Sequence, residues 1–207
     1  FRRVLFRSPL EIRALLDGRT TTVFRRIVEP QPPADFCKPH CAAITNGRSW
    51  AFSTGYKAYP ADPTPGIDCP FGDVGDRLWV REATGHAFTG EIVPGRPAEC
   101  RLVYRADEPG ASVARWRSAS HMPRACSRIT LTILRERVGR VQSISRDEVA
   151  AAGINEDFIE NAWMSHGDCR DRAREAFGRF WDTVNGSGAW MRNDWVWEIQ
   201  AAVEVRR

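Results

Sequence analysis

The alternation of apolar and polar positions divides the chain into short elements separated by long polar stretches. Pro9–Asp17 (PLEIRALLD) has helical spacing and carries Gly18 in the C-cap place. The following GRTTTVFRRIV runs extended until Pro30, Pro32 and Pro33 stop regular structure. Residues 34–75 are rich in Gly, Pro and Asp, and a stretch of that length predicts an insertion or a binding loop. Arg77–Ala83 (RLWVREA) sets Leu78, Val80 and Glu82 against Trp79 and Arg81, the period of a strand. Cys100–Arg105 (CRLVYR) predicts another strand after a Gly/Pro-rich hairpin. The clearest strand is Arg128–Arg135 (RITLTILR), where Ile129, Leu131 and Ile133 share one face. Ser145, with Glu148 three residues on, predicts a capping box. A longer helix is expected over 168–184, with Ala173, Ala176, Phe177, Phe180 and Trp181 in one apolar stripe. Trp195–Val205 reads as a strand that bends near Ala201, and no segment repeats another.

Short strands, long loops and unevenly placed helices predict an α+β fold: a small mixed β-barrel decorated with about three helices and carrying the long insertion at 34–75. RLWVREA, RITLTIL and WVWEIQ are expected in one sheet, and the strands are too few for a doubly wound α/β fold. At 207 residues the chain accommodates one such domain, over 9–207. No run approaches the ~18 to 20 apolar residues of a membrane span, so no membrane partner is expected. With no signal peptide in view, the six cysteines are read as reduced thiols in a cytoplasm, that of a bacterial host.

Charge changes the picture less than its total implies. The formal net charge is +4, but FRRVLFRS, which opens the chain without an initiator methionine, is what one frame of a common sequencing adapter encodes. Residues 1–8 are therefore expected to be read-through from a metagenomic contig, and dispensable unless Val4–Phe6 serve as a first barrel strand. Without Arg2, Arg3 and Arg7 the balance is 27 basic against 26 acidic residues, so only local clustering can argue for a polyanion partner. The composition is otherwise unusual in its eight tryptophans and in 28 arginines against two lysines.

Four constellations carry candidate chemistry. In GRTTTVFRR, Arg19, Thr20, Thr22, Arg25 and Arg26 supply the hydroxyls and guanidinium forks that hold phosphate, or else form a polar edge strand. In GDRLWVREA, Trp79 beside Arg81 offers a face for a base and Glu82 a carboxylate, or else Trp79 packs in the core. In WRSASHMPRACSRI, His121, Arg124 and Arg128 ride on a loop before a strand, where binding groups are common and solvated ones commoner. Cys37, His40 and Cys41, with Cys69 further on, form a weak zinc pattern because Cys69 lacks a close partner; no metal or other cofactor is expected. Phosphate-loop, dinucleotide, serine-hydrolase and zincin motifs are absent.

The order LEIRALLDGR, RRIVEPQP, CPFGDVGDRLWVREA, YRAD, HMPRACSRITLTI, ISRDEVAAAGI and FWDTVNG…WVWEI resembles the ASCH-domain proteins carried by bacteriophages and prophages, over Pro9 to Val205. GDRLWVRE and HMPRACSRI are the most specific pieces. The resemblance implies a PUA-like β-barrel, a fold used for RNA and modified-base recognition. It also implies a cleft built from the turn at Gly18, the GD strand and the segment after Ser145. Some ASCH proteins are amidohydrolases acting on N4-acylated cytidine, and some act as ribonucleases. In the amidohydrolase pattern a Lys follows Gly-Arg and a Glu sits in the turn after the small helix; here Thr20 and Ala152 stand in those places. Neither can activate a nucleophile or shuttle a proton.

Two functions follow as expectations. The first is a non-catalytic module binding RNA, other single-stranded nucleic acid or a modified nucleoside through Arg19, Thr20, Thr22, Arg25, Arg26, Trp79, Arg81, Arg124 and Arg128. The alternative is a hydrolase, amidohydrolase or ribonuclease, whose acid–base work has moved to Glu82 or His121.

Overall fold

The structure, a computed structural model, describes residues 2–6, 8–28, 42–45, 49–52, 67–88, 100–154 and 169–206. The fold is mixed α+β. Its main sheet has five strands in the order β1-β6-β9-β10-β2, formed by Arg2–Leu5, Arg77–Arg81, Ile129–Arg140, Trp195–Val205 and Thr22–Arg26. β1 runs parallel to β6, and the other neighbours are antiparallel. The three runs with period-two patterning thus pair as adjacent strands.

The sheet forms because its strands bury one face together. Leu78 and Val80 from β6, Ile129, Leu131 and Ile133 from β9, and Trp195, Trp197 and Ile199 from β10 meet in one cluster with Val23 of β2. β10 is covered on its other face too, where Val196 and Phe24 pack against α2 (Arg146–Ala151) and α3 (Cys169–Asn185). That double covering is why Trp195–Ile199 is buried at every position, a continuous run in place of alternation. The expected bend at Ala201 is a β-bulge: pairing steps from Gln200 with Arg135 to Ala201 with Ile133, and the extra residue, Leu134, is left exposed.

The strand order ends at β1 and β2, so among the described residues the main sheet is open where a closed barrel was expected. The reason is α1 (Pro9–Leu16), which follows β1 and precedes β2 and puts Ile12 and Leu15 into the sheet's core. Ser8 caps its N-terminus, and Gly18, at φ +70°, takes the left-handed conformation that turns the chain into β2. Ser145 and Glu148 form the expected capping box on α2.

Three parts differ from the sequence reading. Within the segment read as a loop, β3 (Ala42–Thr45), β4 (Ser49–Phe52) and β5 (Ile67–Asp68) form a small antiparallel sheet. β7 (Thr84–Phe88), which no pattern announced, pairs with β8 (Cys100–Tyr104) as a separate ribbon. The N-terminal residues are also not spectators. β1 pairs with β6 through Val4 opposite Val80, and Val4 and Phe6 are only 1% and 2% exposed. The expectation that 1–8 is dispensable is therefore revised, because an apolar pair in these places fills the core. Phe6→Ala should cost about 3 to 5 kcal/mol in urea unfolding, and deletion of 1–8 at least as much; an unchanged midpoint would show that β1 adds nothing to the fold.

Candidate functional site

The site assembles where α2 meets the start of β2. Thr21 N–H donates to the Ala151 carbonyl at 2.8 Å, Thr20 Oγ1 to Ala152 at 3.2 Å and Arg19 Nη1 to Gly153 at 3.0 Å. Thr20 and Ala152 form an isolated β-bridge, so the two positions lie side by side. Gly153, at φ +78°, makes this approach possible: a Cβ there would stand 2.2 Å from Thr20 Oγ1 and 2.5 Å from Ala14 Cβ.

Beside this junction lies a cavity of about 370 Å³, a size suited to a small ligand. Its aromatic wall includes Phe24, Phe177, Phe180 and Trp181, with Trp181 stacked on Phe177 at 5.9 Å between centroids. Thr20, Thr22, Arg25 and Arg26 supply polar lining. Glu11 from α1 completes it, nine-tenths buried, with Oε1 accepting from Arg25 Nη1 at 3.0 Å. The same nitrogen donates to the Phe24 carbonyl at 2.7 Å, and the guanidinium lies 4.3 Å over the Phe6 ring. Arg26 is held by Asp194 at 2.6 Å, and Arg19 by Asp17 at 2.8 Å.

The second and third constellations come together elsewhere, and none of their residues lines this cavity. Glu82 is 2% exposed and accepts from Arg128 Nε and Nη2, both at 2.9 Å. Arg128 also bonds Asp107 and stacks over Tyr104 at 3.9 Å, while the Tyr104 hydroxyl donates to the Cys126 carbonyl at 2.8 Å. Arg81 is buried, donates to the Ser120 carbonyl and lies 5.3 Å over Trp79. Ser127 Oγ reaches the Val80 carbonyl at 2.8 Å. The stretch read as a binding loop is therefore strapped to the end of β6 by its own polar groups. His121 stays exposed, its Nδ1 within 2.9 Å of Ser118 Oγ and 3.2 Å of Ser120 Oγ, and Arg124 is exposed on a short 3₁₀ turn.

The hydroxyls and arginines of β2 that the sequence singled out line this cavity, whereas Glu11 and the face of α3 that also line it were not singled out as site residues. Glu11 had a signal: it sits among Ile12, Ala14 and Leu15, the buried side of a helix where an acid needs a partner. Trp181 was legible only as an apolar stripe. Cys37, His40 and Cys41 lie outside the described residues, and among the described residues no cluster of three metal-ligating side chains occurs. Cys69 is buried in no disulfide, and desolvation pushes its thiol up to about 12. Among the described residues no helix is long and apolar enough to cross a membrane. Against family models, curated proteins and solved structures, the chain finds no match.

Two outcomes test these environments. Burial raises the Glu82 carboxyl above its ordinary value of 4.5, and Arg128 pulls it back only in part. The folded chain then keeps that proton to higher pH than the unfolded chain. Glu82 therefore favours folding in acid, and the contribution is lost as pH rises from 4.5 through the folded value. Relative to Glu82→Gln, wild-type stability should fall over that window in urea melts at stepped pH; a gap moving in wild type's favour would contradict it. Alkylation at mildly alkaline pH, followed by peptide mapping, should label the exposed Cys100 well before Cys69.

Proposed function

We propose that this chain is a nucleic-acid- or nucleotide-binding module of the ASCH, PUA-like kind that phages and prophages carry, with RNA or a modified base as its ligand. The observation that carries the reading is the meeting of Thr20 with Ala152 on the wall of an aromatic-lined cavity. The resemblance gives these two positions to one cleft although 132 residues separate them. Aromatic faces at Phe180 and Trp181 suit a base, and Thr22, Arg25 and Arg26 border it with hydroxyl and guanidinium donors. The open sheet spanned by α1 stands in for the barrel that the family would close.

Binding without turnover is the better-supported form of this reading. Thr20 and Ala152 bring neither amine nor carboxylate to the cleft, and the Thr20 hydroxyl is engaged with the Ala152 carbonyl. Glu82 and His121, the candidate acid–base groups, lie outside the cavity, and Glu82 has both oxygens on Arg128. The protein should bind N4-acetylcytidine or a short single-stranded RNA and return it unchanged, with Phe180→Ala weakening binding by about tenfold through loss of one stacking face. Calorimetry and chromatography of the recovered ligand check both halves. Release of acetate or cleaved RNA would favour the hydrolase, and failure of both ligands to bind would remove the reading.

A further inference from the structure

Among the buried polar atoms of the cavity's own lining residues, Glu11 Oε2 and Trp181 Nε1 have no hydrogen-bond partner. Their residues are only 9% and 2% exposed, and an unmet buried donor or acceptor is costly enough to need an explanation. The two atoms are complementary in kind. A carboxylate oxygen accepts, an indole N–H donates, and the wall around them is aromatic.

The surrounding charges narrow the ligand further. Arg25, the cation nearest Glu11, already donates to Glu11 Oε1 and to the Phe24 carbonyl and lies against Phe6. Arg26 is paired with Asp194. A phosphate brought to the Glu11 side would face a carboxylate whose neighbouring guanidinium is already bonded to it, whereas a flat nitrogen heterocycle would meet an acceptor, a donor and ring faces.

Resting on the reading of this cavity as the binding site, we propose that Glu11 and Trp181 are its specificity-determining residues: they take an uncharged planar nitrogen heterocycle, with a ring or exocyclic N–H donated to Glu11 Oε2 and an acceptor nitrogen or carbonyl receiving Trp181 Nε1–H. The phosphates of a polymer contribute little. Glu11 stands on α1 and Trp181 on α3, so the recognised edge lies between two helices that flank β2.

The test uses the full chain and isothermal calorimetry with cytidine, adenosine, uridine and guanosine, their 5′-monophosphates and a short single-stranded RNA, each over a salt series. At least one nucleoside should bind about as tightly as its monophosphate, with affinity changing less than about twofold across the series. Phosphate-driven binding to a single strand would instead fall with a log–log slope of about −0.7 per contacted phosphate. Glu11→Gln keeps an oxygen for Arg25 and puts an NH₂ where Oε2 stood, and Trp181→Phe keeps a ring and removes the N–H. Each should weaken the nucleoside by about tenfold or more, and either one suffices if the other does not fold. Nucleoside binding unchanged in a folded variant would overturn the assignment and leave the binding-module reading standing. RNA binding with a steep salt slope and no nucleoside binding would do the same. Failure of every ligand would bring down both.

Discussion

The Arg25 guanidinium is the point on which the open sheet and its cavity both depend. It comes from β2, one sheet edge, lies 4.3 Å over Phe6 just beyond β1 at the other edge, and pairs with Glu11 on the helix between them. An open sheet leaves two edges that need covering, and here one planar cation joins both to the covering helix. A buried ion pair adds little net stability over apolar packing, because desolvating both charges offsets their attraction. What this pair adds is position: shifting α1 along the sheet would strand a carboxylate and a guanidinium away from water. Phe6, Glu11 and Arg25 all line the cavity, so the contact that fixes the edges also fixes its walls.

Arginine does the same work on the far side of the molecule. Arg128 joins Glu82 at the end of β6 to Asp107 after β8 and stacks on Tyr104, tying the two-stranded ribbon and the 118–128 strap to the main sheet. Arg137 binds Glu198 on β10 and Glu148 on α2, which seats the helix whose end forms the cavity wall. A lysine in these places would offer a point charge in place of a fork able to hold two acceptors at once. Several guanidiniums that sequence alone assigns to phosphate, Arg19, Arg25, Arg26 and Arg128, are committed to acids of the same chain.

The elements were legible wherever periodicity reports burial on one side, as with Ile129, Leu131 and Ile133 or the stripe of α3. The bend at Ala201 was legible because the alternation falters there. The partners of the arginines were not, for a geometric reason. Arg25 meets an acid 14 residues away, Arg128 one 46 away and Arg26 one 168 away, and no local pattern encodes such pairings. Local motifs therefore group together residues that the structure divides between two networks. β1 was legible as an alternative, since Val4 and Phe6 have the spacing of a strand's inner face, but the questioned origin of residues 1–8 outweighed it.

The junction of Thr20 with Ala152 holds its shape without acid–base groups of its own. The approach depends on the missing side chain of Gly153 and on backbone bonds from Thr21 and Arg19 to the end of α2, none of which requires a reactive residue at position 20 or 152. A threonine there turns its hydroxyl to the neighbouring carbonyl, and an alanine adds only apolar surface. The cavity's unpartnered polarity lies instead on the helices, in a carboxylate already half-engaged by Arg25 and an indole stacked on Phe177. On the binding reading proposed above, such a site would orient a ring by its edge and faces, with its polar groups on the helices and not at the junction.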